Sequence, residues 1–240
     1  MKPIVKRGLA AALLVLAPVS PALSATLVPG GVIFPGGTTA AAAPELAGTV
    51  QQDQVLAFQS VSPIPLFLDV LGNVQNRVVR SDATGTAVLN YRLRDLSSTY
   101  AADDIVITSM WLDGFATYGD FDVDVDYRLD GNGNRGLDSV SRSADGDRLT
   151  FRFDDIAVSG DFTVPSDDSY FVSLFTDATH WSNEGRLTIV GIDTSDGRSF
   201  STTIGGIAIP AIAVIPLPLP AGLLLAGLLS LGLLRHRSRA

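Results

Sequence analysis

The chain has 240 residues, of which 46% are hydrophobic, and it contains no cysteine and only two histidines. This composition excludes a disulfide scaffold, a cysteine nucleophile and a transition-metal site built from several Cys or His ligands. All 25 acidic residues lie between residues 26 and 207, where 11 arginines are the only basic residues, which gives this region a net charge of −14. Such a charge repels nucleic acid and anionic lipid headgroups, so we exclude both as partners of this region.

Residues 1–25 have the three parts of a secretory signal peptide. Basic residues come first: Lys2, Lys6 and Arg7. The apolar residues 9–17 follow, and they are too few to span a bilayer as a lasting helix. Small residues surround the expected cleavage site: Ala22, Ser24 and Ala25. Cleavage after Ser24 and cleavage after Ala25 both satisfy the preference for small residues, and either would remove a signal that directs export.

Residues 26–48 are rich in Gly, Pro, Ala and Thr and have no sustained hydrophobic period. Glycine and proline interrupt helices and strands, so this composition is typical of a linker. We predict a mature N-terminal arm or linker that can add one short strand to the domain that follows.

Short apolar runs separated by turn-forming residues begin at about Thr49. In the clearest run, residues 121–130, apolar and charged residues alternate strictly. Successive side chains of a strand point to opposite faces, so the run predicts a strand with one buried and one solvated face. Residues 89–94 and 149–154 alternate in the same way. Further strand candidates are 55–59, 76–80, 105–112, 170–176, 186–192 and 199–204.

Turns rich in Gly, Asp, Asn and Ser separate these runs, and no amphipathic helix is evident between residues 49 and 205. Many short antiparallel strands with one wet face indicate two packed sheets. We therefore predict an all-β ectodomain over residues 49–207, folded as an antiparallel two-sheet β-sandwich.

The loop 130–138 carries four oxygen donors that could surround a hard cation: Asp130, Asn132, Asn134 and Asp138. This pattern makes Ca²⁺ a candidate cofactor. The loop fails the EF-hand test, because Arg135 stands where the sharp turn requires glycine and Ser141 stands where the bidentate glutamate belongs. The same residue types also suit a hairpin turn without a metal, and both interpretations stay open.

The sequence shows no arrangement typical of catalysis. His180 is the only histidine before the tail, no Gly-x-Ser-x-Gly elbow occurs, and no glycine-rich loop opens a helix after a strand. Pairs of carboxylates carry little weight among 23 aspartates. We predict that the protein is not an enzyme. Aromatic side chains could instead stack on a sugar ring, with Trp111, Tyr118 and Trp181 as candidates, so a carbohydrate- or calcium-binding module is the alternative.

The C-terminal region is apolar and ends in a basic tail. Residues 208–220 contain four prolines, which prevent a helix, whereas residues 221–234 consist of strong helix formers. The tail, residues 235–240, contains three arginines: Arg235, Arg237 and Arg239. We predict a single transmembrane helix over 221–234, with the basic tail in the cytoplasm and the acidic domain outside.

A helix of that length rises about 21 Å, against a hydrocarbon core of about 30 Å. It would span the bilayer by recruiting the apolar residues before it, by thinning the bilayer or by snorkelling of its arginines. A plain tail anchor and a glycolipid-anchor signal share this layout, although the basic end and the prolines suit the glycolipid signal poorly.

The order of these C-terminal elements carries a resemblance. A Pro-Leu-Pro-Ala motif, a short Leu/Gly/Ala helix and a terminal arginine cluster resemble the sorting signal of PEP-CTERM proteins, in its Val-Pro-Leu-Pro-Ala variant. The motif residues are Leu217, which replaces the valine, and Pro218, Leu219, Pro220 and Ala221. The resemblance covers about residues 215–240. It implies recognition by a membrane-embedded exosortase, cleavage near the motif, and association with exopolysaccharide or biofilm.

The ectodomain is also similar to exported bacterial β-sandwich domains that carry such tails, a likeness that implies no activity. It rests on residues 48–50, 77–80, 115–130, 141–153 and 176–178. We therefore expect an exported protein with a structural or adhesive role in the cell envelope or in an exopolysaccharide matrix. Its expected partners are the export translocon, an exosortase-type enzyme, membrane lipid around the C-terminal helix, and exopolysaccharide. It would stay in the membrane with the ectodomain outside, or be released to the cell surface after processing.

Overall fold

A computed structural model describes residues 25–60, 70–98, 105–160, 164–195 and 197–213. The predicted signal segment before Ala25 lies outside the described residues, as do the sorting motif, the predicted transmembrane helix and the basic tail. No helix in the described ranges has the length and apolar character needed to cross a membrane.

The described residues form two antiparallel sheets, which confirms the all-β prediction. Their strands are β1 (Ala25–Thr26), β2 (Val32–Ile33), β3 (Gly48–Ser60), β4 (Val70–Ser81), β5 (Ala87–Ser98), β6 (Ile105–Asp113), β7 (Val123–Tyr127), β8 (Leu137–Arg142), β9 (Leu149–Val158), β10 (Val172–Thr176), β11 (His180–Asp193) and β12 (Ser199–Ala211). The first sheet has the order β1-β7-β10-β5-β4-β3, and the second has the order β12-β11-β6-β9-β8-β2. The helix within these ranges is a single 3-10 turn, Pro44–Leu46.

One hydrophobic core joins the two sheets, because alternate strand residues of both point inward. Leu89, Tyr91 and Leu93 of β5 are fully buried in the first sheet, and Met110 and Leu112 of β6 are fully buried in the second. Burial of apolar area on this scale is the main favourable term in folding, and it explains how an ectodomain without disulfides holds together.

Polar side chains of the core also link the sheets. The buried Tyr91 hydroxyl donates a hydrogen bond to the Ala208 carbonyl of β12 at 2.5 Å. The buried Asn76 amide donates to the Gly206 carbonyl at 3.0 Å and accepts from the Ala208 amide at 3.2 Å. Buried polar groups need such partners, so these bonds fix how β12 lies against the first sheet. Burial also raises the pKa of Tyr91, which keeps the phenol neutral.

Residues 26–48, predicted as an arm or linker, lie against both sheets. Strand β1 pairs with β7 at one edge of the first sheet, and β2 pairs with β8 at one edge of the second. Leu27 is buried in the core, and its amide donates to the Val123 carbonyl at 2.8 Å. Further along, Thr38 receives a hydrogen bond from Leu129 and donates one to the Tyr127 carbonyl, both at 2.8 Å. The arm therefore contributes two short strands where the sequence suggests one.

The contacts of the arm contradict one detail that the alternation in residues 121–130 predicts. The pattern places Asp126 on a solvated face, but its side chain is only 6% exposed, so this prediction is wrong. Gly37 covers it and donates a backbone hydrogen bond to Asp126 Oδ1 at 2.9 Å. Burial raises the pKa of Asp126, although the backbone N–H groups of Tyr127 and Gly37 lower it in part.

The strands differ from the sequence pattern in their bounds, and most are longer than predicted. Strand β8 has no counterpart among the predicted strands, β7 is shorter than the run 121–130, and β12 continues to Ala211, beyond the predicted domain end at 207. Strand β8 contains only two apolar residues that point inward, Leu137 and Val140, and a register shift separates them. Its alternation is therefore too weak to detect by period alone.

Candidate functional site

The predicted topogenic residues lie almost entirely outside the described part of the chain. This holds for the sorting motif Leu217–Ala221, for Arg235, Arg237 and Arg239, and for Ala22 and Ser24. Ala25 is the first described residue, and it begins β1 opposite Val125 of β7. The roles assigned to these residues stay predictions.

The first two donors of the candidate calcium loop differ in their surroundings. Asp130 accepts a hydrogen bond from the Arg128 guanidinium at 2.7 Å and another from the Ala40 amide at 3.1 Å. The Arg128 guanidinium lowers the pKa of Asp130 below its ordinary value. Asn132 is exposed. Asp130 thus holds the N-terminal arm, and a cation would compete with two existing partners.

The remaining donors of this loop also have partners. Asn134 donates to Asp167 Oδ1 at 2.6 Å and accepts from the Asp168 amide at 3.0 Å, so it joins two loops. Asp138 lies on β8 and accepts a hydrogen bond from Ser139 at 3.3 Å. Within the described ranges, no group of three or more His, Asp or Glu side chains is placed to hold a metal ion. The calcium site stays a prediction.

A cleft of about 560 Å³ lies beside β1. Its lining includes Thr26 and Phe175, together with four carboxylates: Glu45, Asp122, Asp124 and Asp177. These charges give the cleft a negative field that attracts cations in general. Nothing in its lining selects one cation over another.

Two of the three candidate aromatics pack against the core. Trp181 donates through Nε1 to Gln52 Oε1 at 3.1 Å, and the Asn183 amide donates to the same oxygen. The Tyr118 hydroxyl donates to Glu184 Oε2 at 2.6 Å. Both aromatics are therefore partly buried and held by polar partners.

Trp111 is the aromatic that lies on an outer surface. Strict alternation along β6 would place it on the same side as Ile105 and Ile107, which are buried. Thr108 is an extra residue of β6 against β11, because Ile107 and Ser109 pair with adjacent residues of that strand. Against β9 the register also shifts between Ile107 and Ser109, but there the excess residues lie on β9. Beyond this bulge the faces exchange, so Met110 points inward and Trp111 points outward.

Trp111 stands in the middle of a row that crosses all six strands of the second sheet. Cross-strand pairing aligns the row in the order Thr203, Thr188, Trp111, Thr150, Ser141 and Val32. We name this surface the Trp111 face. The next row on the same side consists of Ser201, Val190, Ser109, Arg152 and Ser139. The Trp111 face thus combines a half-exposed indole with hydroxyl groups on both sides.

Arg148 adds a positive charge beside the indole. Its guanidinium carbon lies 5.3 Å from the centre of the Trp111 ring, a distance at which the ring quadrupole attracts a cation. The Asp113 carboxylate accepts a hydrogen bond from Arg148 Nε at 2.5 Å and raises the pKa of that guanidinium. These contacts restrain the Trp111 ring and place a guanidinium over it, so the Trp111 face combines an aromatic ring with polar groups.

Comparisons of the chain with protein-family models, with curated proteins and with solved structures find no match.

Proposed function

We propose that this protein is exported and acts at the cell surface by binding, with a structural or adhesive role in the cell envelope or in an exopolysaccharide matrix. It is either anchored by the helix over 221–234 or processed by an exosortase-type enzyme at the motif 217–221. The signal-like segment 1–25 and the resemblance of residues 215–240 to a sorting signal support the targeting part of this proposal. An ectodomain that folds without disulfides suits either location.

The Trp111 face is the observation that supports the proposed adhesive role. A sugar ring has an apolar face that stacks on an indole, and its hydroxyl groups exchange hydrogen bonds with Ser and Thr side chains. Both features occur together on the second sheet. Thr150 lies directly opposite Trp111 on β9, and on the other side the exposed Thr203 bonds to the buried Thr188 at 2.8 Å. Carbohydrate binding, the alternative function, would then be the contact through which the protein adheres to the matrix.

The targeting part is tested by the intact mass of the protein from its native host, in separate membrane and extracellular fractions. We expect a species that starts at Ala25 or Thr26 and lacks the arginine-ended tail. A membrane species that still ends at Ala240, with no shortened form in either fraction, would reduce the C-terminus to a simple anchor.

The adhesive part is tested by the share of exported protein that stays with the washed extracellular matrix. Trp111→Ala should release most of it to the wash, because the stacking surface is lost. Trp181→Ala is the matched control, since that indole packs against the core beside Gln52 and should not affect retention. Equal retention of the wild type and the Trp111 variant would refute the role of this face.

A further inference from the structure

Almost every arginine of the domain forms an ion pair or a hydrogen bond with a described residue. Nine of the 11 arginines within the described ranges reach a carboxylate or a backbone carbonyl: Arg77, Arg80, Arg92, Arg94, Arg128, Arg135, Arg142, Arg148 and Arg198. Arg152 and Arg186 are the exceptions, because both are exposed and neither makes a hydrogen bond or an ion pair with the described residues. In a region with 25 acidic residues, two arginine side chains that have no carboxylate partner among the described residues are unexpected.

Arg152 and Arg186 both lie on the same face of the second sheet as Trp111. They are on the two strands that flank the strand of Trp111. Arg186 on β11 is opposite Asp113, two residues beyond Trp111, and Arg152 on β9 is opposite Ser109, two residues before it. With strands about 4.8 Å apart and a rise of about 3.4 Å per residue, each arginine Cα is about 8 Å from the Trp111 Cα. The two arginines are therefore about 17 Å apart along a diagonal that passes through Trp111.

Two carboxylates lie near these arginines. Asp113 is held by Arg148 at 2.5 Å, whereas Asp154, two residues after Arg152 on β9, is 84% exposed and lies 4.0 Å from Arg135, which binds Asp167 at 2.7 Å. Arg152 and Arg186 are the arginines on this side whose side chains bind no carboxylate among the described residues. The Debye length is about 8 Å at physiological ionic strength, so carboxylates on other surfaces are largely screened from a ligand that lies on this face.

Two cations on either side of a stacking surface select a particular kind of ligand. Guanidinium groups bind carboxylates through charge-assisted hydrogen bonds, and an indole binds the apolar face of a sugar ring. The span between the arginines is too long for one sugar ring and requires a chain of several.

We infer that the Trp111 face binds an acidic polysaccharide, with Arg152 and Arg186 each holding a carboxylate of the polymer and Trp111 stacking on a ring between them. This inference rests on the proposed adhesive role and names its ligand class. The polymer lies diagonally across β9, β6 and β11. The acidic surfaces elsewhere on the domain keep it from binding to the rest of the molecule.

The test uses polygalacturonate and its methyl ester, two polymers with the same backbone that differ in charge. Binding of the purified exported protein is measured by affinity electrophoresis at physiological ionic strength. We expect the wild type to bind polygalacturonate at least about tenfold more tightly than the methyl ester. Arg152→Gln and Arg186→Gln should each weaken binding to polygalacturonate about three- to tenfold, and the double variant about 10- to 100-fold.

The control variant Arg80→Gln/Arg94→Gln changes the net charge equally but on β4 and β5 of the first sheet, and it should bind as the wild type does. Arg152→Lys/Arg186→Lys keeps the charge and should recover part of the affinity. Equal binding to the two polymers, lost only in Trp111→Ala, would leave the adhesive role in place and overturn the acidic ligand. Failure to bind polygalacturonate, or loss of binding in the control variant, would also overturn the inference.

Discussion

Leu27 gives the sharpest test of whether the N-terminal arm belongs to the folded unit. Its side chain is 1% exposed and lies in the core between the sheets, whereas the next residue, Val28, is 57% exposed. Replacing a buried leucine by alanine lowers the free energy of unfolding by about 2–5 kcal/mol, depending on how far the site collapses. Because β1 is a two-residue strand at the edge of the first sheet, its surroundings can adjust, so we expect about 2–3 kcal/mol for Leu27→Ala.

The assay is urea denaturation of the exported protein, followed by thermal unfolding. A loss of this size should lower the Tm by about 4–12 °C for a domain of this length. Val28→Ala is the matched control and should change the free energy of unfolding by less than about 0.5 kcal/mol. If the two variants unfold at the same urea concentration, the arm is a linker that rests on the domain without stabilising it, and the reasoning from burial fails.

Three further predictions follow from named contacts. The Arg142 side chain is 2% exposed and donates to the carbonyls of Gly146 and Phe121 at 3.0 and 3.1 Å, so Arg142→Met should lower the free energy of unfolding by about 3–5 kcal/mol. Its ion-pair partner Asp120 is 79% exposed, so Asp120→Asn should lower it by at most about 1 kcal/mol. Equal losses of the two variants in urea denaturation would contradict this prediction. Burial raises the pKa of Asp126 above 3.8, so the folded form holds the proton more tightly and stability falls as the pH rises through that raised value. Asp126→Asn cannot ionise and should lose less stability than the wild type between about pH 4 and pH 7, and parallel urea midpoints across this range would refute the assignment. Ca²⁺ at about 10 mM should leave the Tm unchanged, because Asp130 already has protein partners; a rise that Asp130→Asn abolishes would instead assign a metal to the loop.

The sequence pattern predicts the fold class because local alternation and the core face agree along most strands. Leu149, Phe151 and Phe153 alternate in the sequence, and all three are buried in β9. Strand β6 shows the limit of this reasoning. Strict alternation predicts the wrong face for Trp111, because a one-residue bulge exchanges the two faces and no turn residue marks it in the sequence.

Long-range contacts explain what the sequence could not predict about the arm and the arginines. The two short strands of the arm show no period, since each depends on one pairing with a distant strand. Likewise, Arg148 and Arg152 are indistinguishable in the sequence, although Arg148 is held by Asp113 and the Arg152 side chain has no partner among the described residues. Which arginines have partners depends on how β6, β9 and β11 align, and no local signal carries that information.

The pairing of the N-terminal arm has a consequence for the order of folding. Gly37 bonds to a residue 89 positions later, and Leu27 receives a hydrogen bond from a residue 115 positions later. A chain that emerges with its N-terminus first therefore exposes β1 and β2 long before β7 and β8, their partners, have followed. Unpaired strand edges pair readily with other chains, so the risk that the arm aggregates is greatest until residue 142 has emerged.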